Sequence, residues 1–478
     1  MPKLPYDYIV VGGGTAGCPL AATLSKKFRV LLLERGGSPY GNNNISRLEN
    51  FSFNLADSTP TSPAQRFLST DGVFNHRARV LGGSTCINVG FYSRAQPSFV
   101  RNAGWDEALV NESYKWVEDK ICSEGWTLGV VPYNGYTYEH INGTKFGGSI
   151  FDNNGFRHTA ADLLAAGNPP NLHVFIHAYV QKIVFDTKGT KPKVIGVIFI
   201  DENSNRHEAF IKADERSEVI LTSSAIGTPQ LLLLSGVGPE EDLRKMNIPV
   251  ILNNEHVGKD MADNPSTNIP IPTPEPQKQT LAQVVGITTE GFYIETISGF
   301  GQNNDSIVTV KNGNMSELKE VFRGGSIYEK IIGPLSKGNL SLVNTNVTSN
   351  PAVTFNYFAE PEDLRRCVAA VSLVLEIAKT RPVKDLNANI NLIPKSGNET
   401  KSLPEFCKRS VTTMWHYHGG CIVGKVVDRD YKVIGIGNLR VGDSSLFVES
   451  PGTNPQATVL MLGRMMGVTM IRERLRAG

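Results

Sequence analysis

Two distant segments carry residues able to do chemistry together. Near the carboxyl end, Trp415-His416-Tyr417-His418-Gly419-Gly420-Cys421 is followed some way on by Asn454-Pro455-Gln456. An imidazole can take a proton from a hydroxyl group, and a neutral amide can orient the oxygen that loses it. At the opposite end, Gly12-Gly13-Gly14-Thr15-Ala16-Gly17 has the spacing of a turn that cradles a dinucleotide. If the fold joins these ends, the chain is a redox enzyme whose site is closed by its own last residues.

The elements around the glycines suit that task. Tyr8-Ile9-Val10-Val11 reads as a short buried strand, residues 18–27 as a helix, and residues 29–33 as a second strand ending on Glu34. In such a βαβ unit Gly12 permits the tight turn, Gly14 lets the backbone approach a pyrophosphate, and Gly17 lets helix and strand pack closely. Glu34 can accept hydrogen bonds from a ribose. Further on, residues 174–177, 180–185 and 194–200 read as strands, 218–221 as a strand leading into a helix at 227–235, and 361–379 as an amphipathic helix. A last helix at 457–474 starts just after Asn454-Pro455. The proline-rich stretch 264–279 predicts a passage between domains, and residues 286–356 predict a second sheet.

Bulk composition narrows the class. With 478 residues the chain is long for one core, so two domains, possibly interleaved, are expected. A net charge of +2 gives no case for nucleic acid or an anionic membrane as the main partner. No apolar run approaches the ~18–20 residues of a membrane span. The six cysteines (Cys18, Cys86, Cys122, Cys367, Cys407, Cys421) have no zinc-ligand spacing, so no metal is expected. Glycosylation sequons begin at Asn44, Asn50, Asn111, Asn142, Asn304, Asn314, Asn339, Asn346 and Asn398. They favour the secretory pathway or the extracellular space. No signal peptide precedes the first strand, which leaves a cytosolic chain or a removed leader.

Two longer strings carry a family resemblance. The segment from Ala78 to Tyr92, ARVLGGSTCINVGFY, resembles the first signature of the glucose–methanol–choline (GMC) flavoprotein oxidoreductases. The segment from Ser224 to Gly238, SAIGTPQLLLLSGVG, resembles the second. Within that family the chain is most similar to the plant branch of mandelonitrile lyase-like and HOTHEAD-like proteins. The resemblance implies an α/β fold: a Rossmann-like FAD-binding domain and a second α+β substrate domain on an antiparallel sheet. We place the FAD-binding domain at residues 1–95, 165–265 and 405–478, and the substrate domain at 96–164 and 266–404.

The implied cofactor is FAD, held by Gly12, Gly14, Thr15, Ala16, Gly17, Glu34 and Arg35 and by Val80, Gly83, Ser84, Asn88 and Val89. Val180 lies where the family's backbone meets adenine, Asp443 in its ribityl and pyrophosphate turn, and Trp415, Asn454, Pro455 and Gln456 close the site. Members that attach flavin covalently use a histidine just before the Asn88 position. Here Ile87 stands there, so FAD is expected to be non-covalent.

The implied reaction is oxidation of an alcohol to a carbonyl, with a hydride passing to flavin N5. His416 is then the base and Asn454 the orienting partner; His418 and Cys421 have no such role in the family. HOTHEAD-like relatives suggest a long-chain ω-hydroxy fatty acid as substrate. The electron acceptor is open among oxygen, a quinone and another protein, and a monomer is expected.

Cyanohydrin cleavage is the alternative. At the positions where mandelonitrile lyases place a second histidine, a tyrosine and a cysteine around the substrate, this chain has Asn454, Met414 and Glu295. An inactive, truncated flavoprotein is a further alternative, because three segments are shorter than in relatives: after Ile121, after Gly301 and after Val383. Ser444 replaces the glycine that usually follows the family's aspartate, which predicts strain if a positive φ is needed there. Cys367 and Cys407 match a pair that is disulfide-bonded in the lyases.

Overall fold

The structure is a computed structural model, and it describes residues 5–122, 135–275, 277, 279–299, 324–386 and 402–476. The three shortened segments fall outside the described residues, as do Asn304, Asn314 and Asn398.

The first sheet has five parallel strands in the order Leu439–Val441, Glu218–Leu221, Tyr8–Val11, Val30–Leu33, Leu172–Phe175. The strands YIVV, VLLL and EVIL are buried at every position, as a parallel sheet covered on both faces requires. The register Tyr8↔Val30 and Tyr8↔Glu218 puts Tyr8–Val11 in the middle. Its carboxyl end therefore opens where chain connections leave in both directions, the usual ligand crevice of such a sheet. The helix Gly17–Leu24 starts there and is buried along its whole length. The carboxyl-terminal helix Gln456–Arg476 packs on it. That contact joins the two ends of the chain.

The second sheet has six antiparallel strands: Thr412–Thr413, Pro265–Ile271, Gly325–Ile331, Phe292–Ser298, Val284–Ile287 and Gly143–Phe146. Phe292, Ile294, Ile327 and Ile331 on one face form an apolar core with Cys367, Ala370, Val371 and Val374 of the helix Pro361–Ala378. The opposite side of the alternation carries Tyr293, Glu295, Tyr328 and Lys330, the period-two consequence of pleating.

One sequence expectation needs correction. The proline-rich stretch 264–279 is not simply a passage, because Pro265–Ile271 is a strand within this sheet. Pro265 is the first residue of the strand, and Pro270 is tolerated because the neighbour Thr412–Thr413 pairs only with Pro265 and Ser266, leaving Pro270 along an open edge. The ladder on the other side, Ser266↔Lys330 to Ile271↔Gly325, then sets the strand.

Cys367 and Cys407 form a disulfide that ties the helix Pro361–Ala378 to the helix Leu403–Ser410. The second helix runs into Thr412–Thr413 and then Met414, Trp415 and His416, so the bridge anchors the approach to the histidine segment. The other described cysteines, Cys18, Cys86, Cys122 and Cys421, are free. Denaturation without reductant is expected to expose four titratable thiols; a count of six would mean the bridge does not form.

Candidate active site

A single cavity runs from the end of the first strand to the histidine segment. At its dinucleotide end Gly12 has φ +110°, and a Cβ there would meet the Thr222 carbonyl at 2.5 Å. A Cβ on Gly17 would come within 1.9 Å of the Gly12 carbonyl, so Gly17 serves the turn itself and does not line the cavity. Gly14 is different. A Cβ there would find nothing nearer than Gly83 Cα at 3.7 Å, so protein packing does not demand this glycine. Its lack of a side chain keeps open space beside the N-terminus of the helix Gly17–Leu24, where backbone N–H groups favour a phosphate.

Thr15, Ala16, Gly83 and Ser84 line the same stretch, with Thr15 Oγ1 3.1 Å from Ser84 Oγ. Glu34 is buried and accepts from Gly13 N at 2.9 Å and Gly36 N at 2.8 Å. Burial nevertheless pushes its carboxyl above the usual range. Arg35 donates to Gln65 Oε1 and the Ala78 carbonyl, and Val80 and Val180 add apolar wall.

The middle of the cavity is a locked amide pair. Asn88 Nδ2 donates to Gln456 Oε1 at 2.8 Å, and Gln456 Nε2 donates to the Phe91 carbonyl. Asn88 Oδ1 accepts from Arg157 Nη1 and Gly90 N, both at 3.0 Å. These bonds fix both amides and leave them as rigid wall beside Val89 and Pro455. Asp443 lines the cavity too. Its carboxylate accepts from Ser224 N, Thr228 Oγ1 and Ser445 N, tying the second signature to the last strand. Asp443 itself is extended (φ −146°) and Ser444 is not among the residues with positive φ, so the anticipated strain is absent.

At the far end Trp415, His416, Met414 and Asn454 all border the cavity. Trp415 has φ +59°, unusual for a bulky residue. Two side chains hold that bend: Thr413 Oγ1 accepts from Trp415 N at 2.8 Å, and Asp263 Oδ1 accepts from His416 N at 2.8 Å. Asp263 also accepts from Tyr357 Oη at 2.7 Å and Thr413 Oγ1 at 2.5 Å. Burial holds the His416 imidazole well below its ordinary pKa, with the Lys330 ammonium and then His418 adding to the effect. His416 is thus a neutral imidazole at neutral pH. His418 Nδ1 lies 3.0 Å from the His416 carbonyl and the ring does not line the cavity.

Glu295 does not reach the cavity wall. It is buried in an ion pair with Lys330, the cation that bears on the histidine. Conversely, sequence reasoning missed Asp263, Arg77 and Tyr293. Arg77 lines the cavity, donates to Gln230 Oε1 at 3.1 Å and has no carboxylate partner among the described residues. Its place in the string HRARVLGG, just ahead of the first signature, was the available signal. Asp263 and Tyr293 had none, since each meets His416 only through tertiary contact.

The residues present fit a flavin dinucleotide. Trp415 Nε1 and Asn454 Oδ1 are buried polar atoms without a hydrogen-bond partner among the described residues, both at the histidine end. Buried groups of that kind call for a ligand or water. Gly14 holds space open at the phosphate end, and the cavity joins the two. Among the described residues no helix is long and apolar enough to cross a membrane.

Comparison with known proteins agrees with this geometry. Protein HOTHEAD of Arabidopsis thaliana is 53% identical, over 98% of this chain and 89% of that protein. An (R)-mandelonitrile lyase-like protein of Arabidopsis thaliana is 45% identical, over 98% and 90%. Sinalpyl alcohol oxidase Nec3 of Nesocodon mauritianus is 42% identical, over 99% and 90%. Among solved structures, an Aspergillus oryzae formate oxidase variant superposes with TM-score 0.84 at 18% identity, over all of both chains. Residues 121–266 and 334–463 each match a family profile described as GMC oxidoreductase. With both profiles, the relatives and the cradle in agreement, the chain belongs to the GMC oxidoreductase family.

Proposed function

We propose that this chain is an FAD-dependent oxidoreductase that converts a primary or secondary alcohol to a carbonyl, with His416 as base. The observation that carries the reading is a buried imidazole on the cavity wall, whose burial disfavours its charged form, together with an amide that cannot titrate. His416 takes the hydroxyl proton, and Asn454 holds the substrate oxygen as charge builds on it. Bound FAD supplies the acceptor for the hydride that leaves the same carbon. The cofactor would be held by the Gly12–Gly17 turn, Glu34 and Arg35, by Val80, Gly83, Ser84, Asn88 and Val89, and by Val180, Asp443 and Gln456. Arg77 joins this set. The parallel sheet and its flanking segments form the cofactor domain, and the antiparallel sheet with its helices forms the substrate domain.

A long-chain ω-hydroxy fatty acid is the substrate class that the HOTHEAD-like resemblance favours. An anaerobic screen of alcohols, scored by bleaching of the flavin, tests the reaction; no bleaching with any alcohol class would overturn it. Cyanohydrin cleavage is the second reading, favoured by the lyase-like relative. Met414 and Asn454 offer no acid or base for it, so no cyanide is expected from mandelonitrile in a colorimetric assay.

Ile87 borders the cavity where covalent members carry histidine, and its side chain has no nucleophile. Acid precipitation is therefore expected to release the yellow chromophore; colour retained in the pellet would mean a covalent link. The disulfide and the exposed sequon residues Asn111, Asn142, Asn339 and Asn346 support passage through an oxidising, glycosylating compartment.

A further inference from the structure

We propose that Tyr293, seated on the buried Lys330–Glu295 ion pair, is the positioning residue that selects the tautomer of His416. The inference rests on the reading of His416 as the base and goes one layer behind it. Tyr293 lies on the strand Phe292–Ser298, which the sequence marked only as part of a second sheet. Its ring is fully buried, and its Oη lies 3.4 Å from His416 Nδ1. The other ring nitrogen, Nε2, has no hydrogen-bond partner among the described residues, and the ring borders the cavity.

A base must present a lone pair to its substrate. If Nδ1 carries the proton and gives it to the phenol oxygen, Nε2 is free to take the alcohol proton. If the phenol donates instead, Nε2–H faces the substrate and the base is blocked. The contact behind the ring therefore decides whether the histidine can act. When it does act, the alcohol O–H bond breaks, an Nε2–H bond forms, and Nδ1–H stays on the phenol oxygen. The hydride leaving the same carbon would be accepted by FAD once bound. A 3.4 Å contact is long for a hydrogen bond, and contacts of this type often tighten only when substrate fills the site.

The groups beneath Tyr293 keep the phenol in place. Lys330 Nζ sits 5.1 Å from the Tyr293 ring centroid, a cation–π arrangement, and pairs with Glu295 two residues along the same strand. Lys330 and Glu295 are both buried, and Glu295 Oε1 has no hydrogen-bond partner among the described residues. Burial, and then the negative charges of Glu295 and Asp263, keep the phenol protonated far above neutral pH. The charged or titratable groups around the imidazole are thus Tyr293 and Glu295 from one strand and Lys330 from the next. His418 lies on its own loop, and Asp263 acts through the backbone.

The test uses the holoenzyme labelled with 15N-histidine. Wild type is expected to show His416 as the Nδ1–H tautomer in long-range 1H–15N spectra. Tyr293→Phe keeps the packing and removes the phenol oxygen. It is expected to shift His416 toward a tautomer mixture and to slow flavin reduction by alcohol at least about tenfold, with KM little changed. A second variant, Lys330→Met with Glu295→Gln, removes the ammonium without stranding a buried carboxylate. It is expected to move the apparent pKa of flavin reduction up by about one unit.

An unchanged tautomer and a reduction rate within about twofold of wild type in Tyr293→Phe would overturn the proposal. So would an unmoved pKa in the double variant. These failures are separable from failure of the base reading. If His416→Ala still reduces flavin, the base assignment falls, while the tautomer spectrum of Tyr293→Phe still reports on the phenol contact.

Discussion

His416→Ala is expected to slow reduction of the flavin by alcohol by orders of magnitude while leaving FAD bound. The base contribution is typically about 10²–10⁴-fold, so single-turnover bleaching should become slow enough to follow by hand mixing. FAD content should hold because the groups proposed to grip the cofactor lie elsewhere, in the glycine turn, in Glu34 and in the locked Asn88–Gln456 pair. The pH dependence adds a second readout. Burial, Lys330 and His418 all lower the His416 pKa below 6.5. Asn454 does not titrate, so the wild-type rate should rise with pH on one ionisation and be flat by neutrality. The Ala variant should lose that rise. The same shift has a stability consequence: below pH 6.5 the unfolded chain binds a proton that the folded imidazole resists. The contribution of neutral His416 is thus complete above pH 6.5 and declines as pH falls. Stopped-flow bleaching across pH decides the matter; an Ala variant with wild-type rates would remove His416 from the chemistry.

The cofactor cradle was legible because it is local. Strand, glycine turn, helix, strand and acid follow one another within one βαβ unit, with Gly12 and Gly17 each answering to a nearby backbone carbonyl and Gly14 keeping space open. Strand Glu218–Leu221 was likewise plain, since four apolar-rich residues in a parallel sheet leave no face for polar alternation. The strand Pro265–Ile271 was missed because two prolines signal a break locally, whereas the first position of a strand and an open sheet edge tolerate them. The groups behind His416 were invisible for a different reason. Tyr293 and Asp263 come from elements far away in sequence, and nothing in their own neighbourhoods distinguishes a phenol or carboxylate that supports a base from one that fills a core. Glu295 shows the converse: the family resemblance put it beside the substrate, and the structure pairs it with Lys330 off the cavity wall.

Asp263 makes the second large prediction, because substitution there can separate geometry from charge. Asp263→Ala leaves three donors without an acceptor: the part-buried Tyr357 Oη and the buried Thr413 Oγ1 and His416 N. Each costs about 1–3 kcal/mol, a large share of the roughly 5–15 kcal/mol that typically holds a folded protein. The bend at Trp415 also loses one of its two clamps, so turnover should fall together with stability. Asp263→Asn is the informative partner. Its Oδ1 can still accept from His416 N, and its Nδ2 can donate to the two hydroxyls, which rotate to receive it. Turnover should therefore largely survive in the Asp263→Asn variant.

Charge then shows itself in stability. Burial raises the Asp263 pKa from 3.8 to about 6. Because the folded value is the higher one, folding stability falls as pH rises from about 4 to 6, by about 3 kcal/mol in all. The amide of Asp263→Asn cannot ionise, so that slope should vanish, and the variant should gain on wild type across the window and keep that gain above it. Thermal unfolding of the three proteins between about pH 4 and 8, with flavin reduction measured alongside, reads both effects. A dead Asp263→Asn variant with normal folding would mean that the carboxylate's charge, and not its acceptor geometry, serves the histidine.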